Sequence, residues 1–522
     1  MSMKLRGRLL AATVCAAALS GVAVPASAET LADAIALAYQ NNPTLQAQRA
    51  AQRALDENYV QARTGWRPTL SLSGGWSYSE TAIPGAVVVA SAGGLIDRNG
   101  DGIPDGAGRS HASTTRAGLT FSQPLWTGGR VAAAVNAANA DVLAGRENLR
   151  RVEAQVLTSV IQAYSDTRRD QEALRIRQEN VNVLTRQLQE SNARFDVGEV
   201  TRTDVAQSQA RLSQAQALLQ SAVAQLAITR ASYATLVGQN PGELAPEPSL
   251  AYLLPTDPDE AYKTAEQFNP QLRAQQFTEQ ASRARVSGAR AERMPTVSAQ
   301  ANLEFRNQNP EDVWERDFYT RGSSVGVNVS VPLFSGGLTS SRIRQAVERN
   351  NVDRITIETV RRNVLQGVTT SWSQLIAARA NISSSDEQVR ASRIAAEGTR
   401  QEQQVGLRTT IDVLNAEQEL RQAELNAVTS RRDEYVAAAN VLALMGRLEG
   451  RNLVPVVPQY DAAKNFRKLR MTWGWVPWEE AVGVVDQVAT PWPSKVPSEK
   501  VDEKPIGPGL EPAPAVPPPA TR

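Results

Sequence analysis

Two kinds of stretch in this chain place side-chain oxygens at spacings with recognisable chemistry. Val197-Gly198-Glu199-Val200-Thr201-Arg202-Thr203-Asp204-Val205 and Val405-Gly406-Leu407-Arg408-Thr409-Thr410-Ile411-Asp412-Val413 are two copies of one pattern. In each, a Thr precedes an Asp by three positions (Thr201 and Asp204, Thr409 and Asp412), the spacing of a capping box that opens a helix. In each, a Gly follows an apolar residue and ends the preceding helix cheaply, because it can adopt the left-handed conformation needed just past the last turn. Both copies therefore read as tight reversals between helices. The second kind is Asp97-Arg98-Asn99-Gly100-Asp101-Gly102-Ile103-Pro104-Asp105, where Asp97, Asn99, Asp101 and Asp105 are spaced as in a calcium loop. The bidentate Glu that would complete it is replaced by Gly108, which leaves weak Ca²⁺ binding or an acidic turn without metal, separable by millimolar-range calorimetry. There is no phosphate-binding G-x-x-x-x-G-K-[ST], no H-E-x-x-H and no Ser/His/Asp set; the one His is His111 and the one Cys is Cys15. Enzymatic chemistry has little to work with.

The 56 Lys and Arg against 54 Asp and Glu leave a formal charge of +2, so nothing electrostatic favours nucleic acid. Lys4, Arg6 and Arg8, the apolar run Leu9 to Val24 and Ala26-Ser27-Ala28 have the layout of a signal peptide cleaved before Glu29. A single anchoring helix is the alternative, but the run is short and the cleavage pattern follows it. No later stretch approaches the ~20 apolar residues of a membrane helix. If the exported chain enters a membrane, it must do so as a β-barrel.

The elements that carry the reversals are duplicated. Asn42-Pro43-Thr44-Leu45 and Asn269-Pro270-Gln271-Leu272 are 227 residues apart, as are Arg67-Pro68-Thr69-Leu70 and Met294-Pro295-Thr296-Val297. From Gln123-Pro124-Leu125-Trp126-Thr127-Gly128-Gly129 and Val331-Pro332-Leu333-Phe334-Ser335-Gly336-Gly337 onward the spacing is 208, so 19 extra residues of the first half fall between Thr69 and Gln123. Four segments alternate apolar with small or polar residues: Leu70 to Ser79, Arg116 to Ser122, Val297 to Phe305 and Val325 to Val331. The pattern suits transmembrane strands between lipid and a wet lumen, and equally a soluble half-buried sheet. Arg130 to Asp196 runs without a helix breaker, enough for about 100 Å of helix. After the turn, Leu212, Leu219, Leu226 and Tyr233 recur every seven residues with Ala215 and Ala222 between them, a narrow coiled-coil seam. The second half repeats the plan from Leu338 to Gly446. Four strands cannot close a barrel, because the smallest membrane barrels need ~8. Three chains would give twelve strands, the smallest assembly with both a closed barrel and a lumen.

This duplicated arrangement, with its two Pro-Leu-aromatic-x-Gly-Gly returns and its two V-G-x-x-x-x-x-D-V turns, resembles the TolC family of outer-membrane exit ducts from about Thr30 to Gly446. The expected fold is an all-α long-helix tunnel plus a transmembrane β-barrel. The resemblance implies a homotrimer with a 12-stranded barrel in outer-membrane lipid of a Gram-negative bacterium and a 12-helix periplasmic tunnel. It also implies a periplasmic adaptor (membrane fusion protein) gripping the tip turns Val197, Gly198, Glu199, Val405, Gly406 and Leu407, and an inner-membrane ABC or other export transporter supplying energy. By motif position, Arg408 would tie to Thr203 and Asp204, and Asp412 would ring the constriction. A second ring carboxylate is replaced by Asn415 and a tyrosine of the closing network by Gln403, so a differently bonded latch is expected. Three Asp412 carboxylates on a pore axis would attract cations; the capping-box role is compatible with this.

The implied boundaries are a signal peptide over 1–28, a first repeat over 29–240, a linker over 241–257, a second repeat over 258–446, an equatorial C-terminal segment over 447–489 and a Pro-rich disordered tail over 490–522. Tyr460-Asp461-Ala462-Ala463-Lys464-Asn465-Phe466 resembles the same segment in members serving type I protein secretion, which tilts the expected cargo toward protein. Multidrug or small-molecule efflux is the alternative cargo. A periplasmic coiled-coil scaffold without a pore is the alternative class.

Overall fold

The computed structural model describes residues 28–82, 109–309, 319–455, 458–469 and 474–488. The expected signal peptide (but for Ala28), the 97–105 loop and the Pro-rich tail lie outside the described residues.

Each half starts with two short helices joined by one Asn. Helix α1 (Leu31–Asn41) opens on a Thr30–Asp33 capping box. Asn42 both ends α1 and caps α2 (Pro43–Arg63): its Oδ1 accepts the N–H groups of Thr44 (2.9 Å) and Leu45 (3.3 Å), while Pro43 sits at the first helical position, where no N–H is needed. Strands β1 (Thr69–Ala82) and β2 (Arg109–Trp126) then lead into α3 (Arg130–Asp196) and α4 (Arg202–Val237). The second half follows suit with α5 (Pro258–Phe268), α6 (Pro270–Ala291), β3 (Thr296–Asn309), β4 (Tyr319–Ser330), α7 (Leu338–Gln404) and α8 (Thr410–Leu444). Asn269 caps α6 as Asn42 caps α2. Helices α9 (Gly450–Leu453), α10 (Ala462–Leu469) and α11 (Glu479–Val488) complete the chain. No helix among the described residues is long and apolar enough to cross a membrane.

The strands form one antiparallel sheet in the order β1-β2-β3-β4. Its register aligns Leu70 with Phe121 and Ala301, Leu72 with Leu119 and Leu303, and Val297 with Val329. All the apolar members of the four alternating patterns thus share one face, and Ser71, Ser73, Thr120, Asn302 and Asn328 share the other. The apolar face is bare: Leu72 is 80% and Val325 87% exposed. His111, expected in a polar loop, instead has its backbone in β2 opposite Glu80. The Ser- and Thr-rich run of 113–115 carries the ladder past the apolar segment, paired with 76–78 of β1 and 307–309 of β3.

At about 1.5 Å per residue, the 67-residue helices α3 and α7 each extend roughly 100 Å away from the sheet. Midway along them lies the main apolar core, where α1, α5 and the ends of α4 and α8 pack on α3 and α7 around Tyr164, Leu157, Tyr233, Leu375 and Leu442. The 241–257 stretch is a docked strap here. Glu29 exchanges backbone bonds with Glu243 and Ala245, the Tyr164 hydroxyl meets the carbonyls of Glu29 and Ala245, and Leu250 is buried. Tyr460 to Phe466 straps α1 and α2: the Tyr460 N–H donates to the Tyr39 hydroxyl, Arg49 stacks on both rings, Asn465 donates to Asp56 and Phe466 packs on Tyr59.

Candidate gate at the helical tips

The two turns that cap the far ends of the long helices are built alike. Beyond α3, the Glu199 N–H reaches back to the Arg194 carbonyl and the Gly198 N–H to that of Phe195, both at 2.9 Å. Beyond α7, Leu407 and Gly406 bond Glu402 (2.9 Å) and Gln403 (3.0 Å) in the same way. Gly198 and Gly406 both have φ +79°, and a Cβ at either would meet open space. Glycine is required there by the backbone alone. The next helix then starts on the expected box. Asp204 accepts the Thr201 N–H (2.9 Å) and hydroxyl (2.7 Å); Asp412 accepts those of Thr409 at 3.1 and 2.6 Å. Those hydroxyl bonds, with backbone support, hold both carboxyls below the usual Asp range, so each tip carries fixed negative charge. Val197, Glu199, Val405 and Leu407 project into solvent.

Within the single chain, Arg408 is engaged by its own turn. Its Nε pairs with Glu402 Oε2 at 2.9 Å, within its own turn, while Thr203 is exposed and the Asp204 carboxylate is engaged by Thr201. Glu402 lies six residues back, so that contact closes only a short loop and costs little entropy, whereas reaching Asp204 would require displacing a cap. Gln403, at the family's tyrosine position, is buried under the turn with Nε2 3.4 Å from Thr410 Oγ1. Asn415 is tied to the first hairpin: Arg211 on α4 donates to Asn415 Oδ1 (3.1 Å) and Gln418 Oε1 (2.6 Å) on α8. Below that link, Leu184, Leu212, Ala215 and Leu414 form an apolar patch joining α3, α4 and α8. Buried Glu417 pairs with Arg400 on α7 and with Arg421, which also reaches Glu179 on α3 at 4.0 Å. Arg211, Arg400, Glu417 and Arg421 were not singled out from the sequence. Only the i,i+4 spacing of Glu417 and Arg421 signals any of them there, because the remaining links cross between helices.

At the opposite end, the C-terminal segment supplies a second feature absent from the sequence reading. At the start of helix α3 Gly129 has no side chain to cap with, and the nearby Thr127 hydroxyl accepts only the Val131 N–H (3.1 Å). Asp486 of α11, wholly buried, takes that role from a distance. Its carboxylate accepts the N–H of Thr127 (2.8 Å), Gly129 (3.1 Å) and Ala132 (3.2 Å), the Thr127 hydroxyl (2.9 Å) and the Trp66 indole (3.2 Å). Glu479, equally buried, sits between Arg63 (2.7 Å) and Arg67 (2.9 Å). The segment expected at the equator therefore divides: α9 and α10 lie against α1 and α2, and α11 lies at the strand-to-helix junction.

The tips and the junction thus lie at the two ends of long helical hairpins, with a bare apolar sheet face beyond the junction. The family model for outer membrane efflux proteins matches residues 34–239 and 261–447. The outer membrane efflux protein BepC of Brucella suis is 31% identical over 449 residues, 86% of this chain and 92% of that protein. The alkaline protease secretion protein AprF of Pseudomonas aeruginosa is 28% identical over 57% of this chain and 63% of that one. The crystal structure of the Campylobacter jejuni CmeC outer membrane channel superposes with a TM-score of 0.68 at 16% identity, covering 84% of this chain and 89% of that one. The chain belongs to the TolC family of outer-membrane efflux channels.

Proposed function

We propose that three copies close a 12-stranded barrel in the outer membrane of a Gram-negative bacterium and a helical tunnel in the periplasm. The duct is passive, and the tip turns dock a periplasmic adaptor joined to an inner-membrane transporter. One observation carries the trimer: the second half of the chain is bare where the first half is covered. In the first half, Gly128 lies directly against Met294 and Pro295 of the α6–β3 corner. The equivalent Gly336 and Gly337 face open space, and the adjacent Leu333 and Phe334 are each 91% exposed. The upper part of α7 is likewise bare at Leu338, Val352 and Ile355, where α3 is packed by α6. The corner that pseudo-symmetry calls for is Arg67-Pro68 of a neighbouring copy, which would also pair the free edges of β1 and β4. A coiled-coil scaffold without a pore has no use for the apolar sheet face.

The conduit leaves two cargo classes, each with its own support. Protein secretion is supported by the 460–466 resemblance and the AprF likeness. Efflux is supported by BepC, an outer membrane efflux protein whose similarity spans more of both chains than that of AprF. Packing against α1 and α2 accounts for 460–466 without cargo, so the higher identity of the BepC match, 31%, favours efflux. Affinity purification of the full chain after in-cell cross-linking tests this directly. Recovery of a proton-driven drug transporter supports efflux, recovery of an ABC transporter restores protein secretion, and recovery of neither an adaptor nor a transporter refutes the tripartite reading.

A further inference from the structure

Helix α11 is amphipathic in the inverted sense. Glu479, Val482, Gly483 and Asp486, at i, i+3, i+4 and i+7, form its protein-facing stripe, with both carboxylates fully buried against Arg63, Arg67, Trp66 and the start of α3. Ala481, Val484, Val485 and Val488 repeat the same spacing on the outward side and are all exposed, Val488 at 84%. A surface helix in water normally shows the reverse. Where α11 sits explains the inversion. Gln123 shares the side of β2 that carries Leu119 and Phe121, and its Oε1 accepts the Trp478 indole N–H at 3.1 Å. Trp478, half exposed, therefore lies at the lower margin of the sheet's apolar face, immediately before the helix that carries the exposed valines.

We propose that the outward face of α11, with Trp478, is a membrane-interface anchor that rests in the periplasmic leaflet of the outer membrane. This rests on the reading of the sheet as a lipid-embedded barrel. The valines supply the apolar contact, and an indole at the rim is the side chain best suited to the headgroup boundary. Because the opposite face of the same helix caps α3 through Asp486, the anchor fixes the height of the barrel-to-tunnel junction relative to the bilayer. Neighbouring protein, either the next protomer's Leu333-Phe334 corner or this chain's own C-terminal tail, is the competing cover for the stripe.

The test uses the full chain, with Cys15→Ser, as assembled protein in phospholipid vesicles doped with acyl-chain nitroxide lipid. An environment-sensitive fluorophore is attached at Val485→Cys, with Leu72→Cys on the sheet and Leu407→Cys at the tip as references. Lipid quenching at 485 is expected within about twofold of that at 72, and well above that at 407. Iodide quenching from water at 485 equal to that at 407 overturns the anchor, as does protection from both quenchers, which would mean a protein cover. If position 72 also escapes lipid quenching, the barrel reading falls along with the anchor. If 72 is quenched and 485 is not, the anchor alone is wrong.

Discussion

Replacing Asp486 by Ala removes one side chain 354 residues beyond the first turn it supports, yet should loosen the start of α3 specifically. The carboxylate accepts from three backbone N–H groups, one hydroxyl and one indole, all in a buried setting. A buried donor left unpaired costs about 1–3 kcal/mol, and a lost helix cap typically about 1 kcal/mol. Water entering the vacated space would re-satisfy some of the donors, so we expect a local loss of about 3–4 kcal/mol rather than the full sum. At 1.4 kcal/mol per decade, amide exchange in a peptide covering 127–135 should accelerate by about 10²–10³. Hydrogen exchange on the assembled protein reads this directly, and the first turn of α7 serves as an internal control, because only the nearby Ser335 hydroxyl, 3.4 Å from the Thr339 N–H, supports its Gly337 start. Asp486→Asn, which keeps one acceptor oxygen, should give an intermediate effect. Exchange at 127–135 changed by less than about threefold, or a change of the same size at α7, would refute the distant-cap argument.

Four further outcomes follow from the tip. Asp412→Ala should lower cation selectivity in planar bilayers; unchanged selectivity removes the carboxylate from the constriction. Since the Thr409 bonds depress the Asp412 pKa, its capping contribution is present above the unfolded value of about 3.9 and is lost as pH falls through the lower folded value, so the protection factor at the start of α8, corrected for the intrinsic pH dependence of exchange, should stay flat from pH 7 to 5 and fall only in stronger acid. Gly406→Ala and Gly198→Ala should each cost about 1 kcal/mol, with similar increases in protease cutting at the turns, because only backbone strain is involved. Arg211→Ala should raise channel conductance more than Arg408→Ala, since Arg211 bridges the two hairpins and Arg408 pairs within its own turn; the opposite order would restore Arg408 as the latch.

What the sequence made legible was whatever is local. The bounds of α3 follow from Gly129 and Gly198 with no Pro between them, and the caps of α4 and α8 from a Thr and an Asp three residues apart. The face of every strand follows from alternation of period two, and the sheet register then gathers those faces. What it concealed are pairings between distant elements. Nothing near Asp486 signals that its partners lie at Trp66 and Thr127, and a Pro- and Trp-rich segment gave no hint of two buried carboxylates. At the helical tips, motif position located Arg408, Gln403 and Asn415 but not their bonds. Glu402, a residue outside the motif, captures Arg408, and Arg211 captures Asn415.

The central reading is that this chain is one third of a membrane duct, and purified full-length protein added to one side of a planar bilayer tests it most directly. The expected result is a species with the mass of three chains that inserts and opens a cation-selective ion channel. A monomer that stays in solution and leaves the bilayer silent would contradict it.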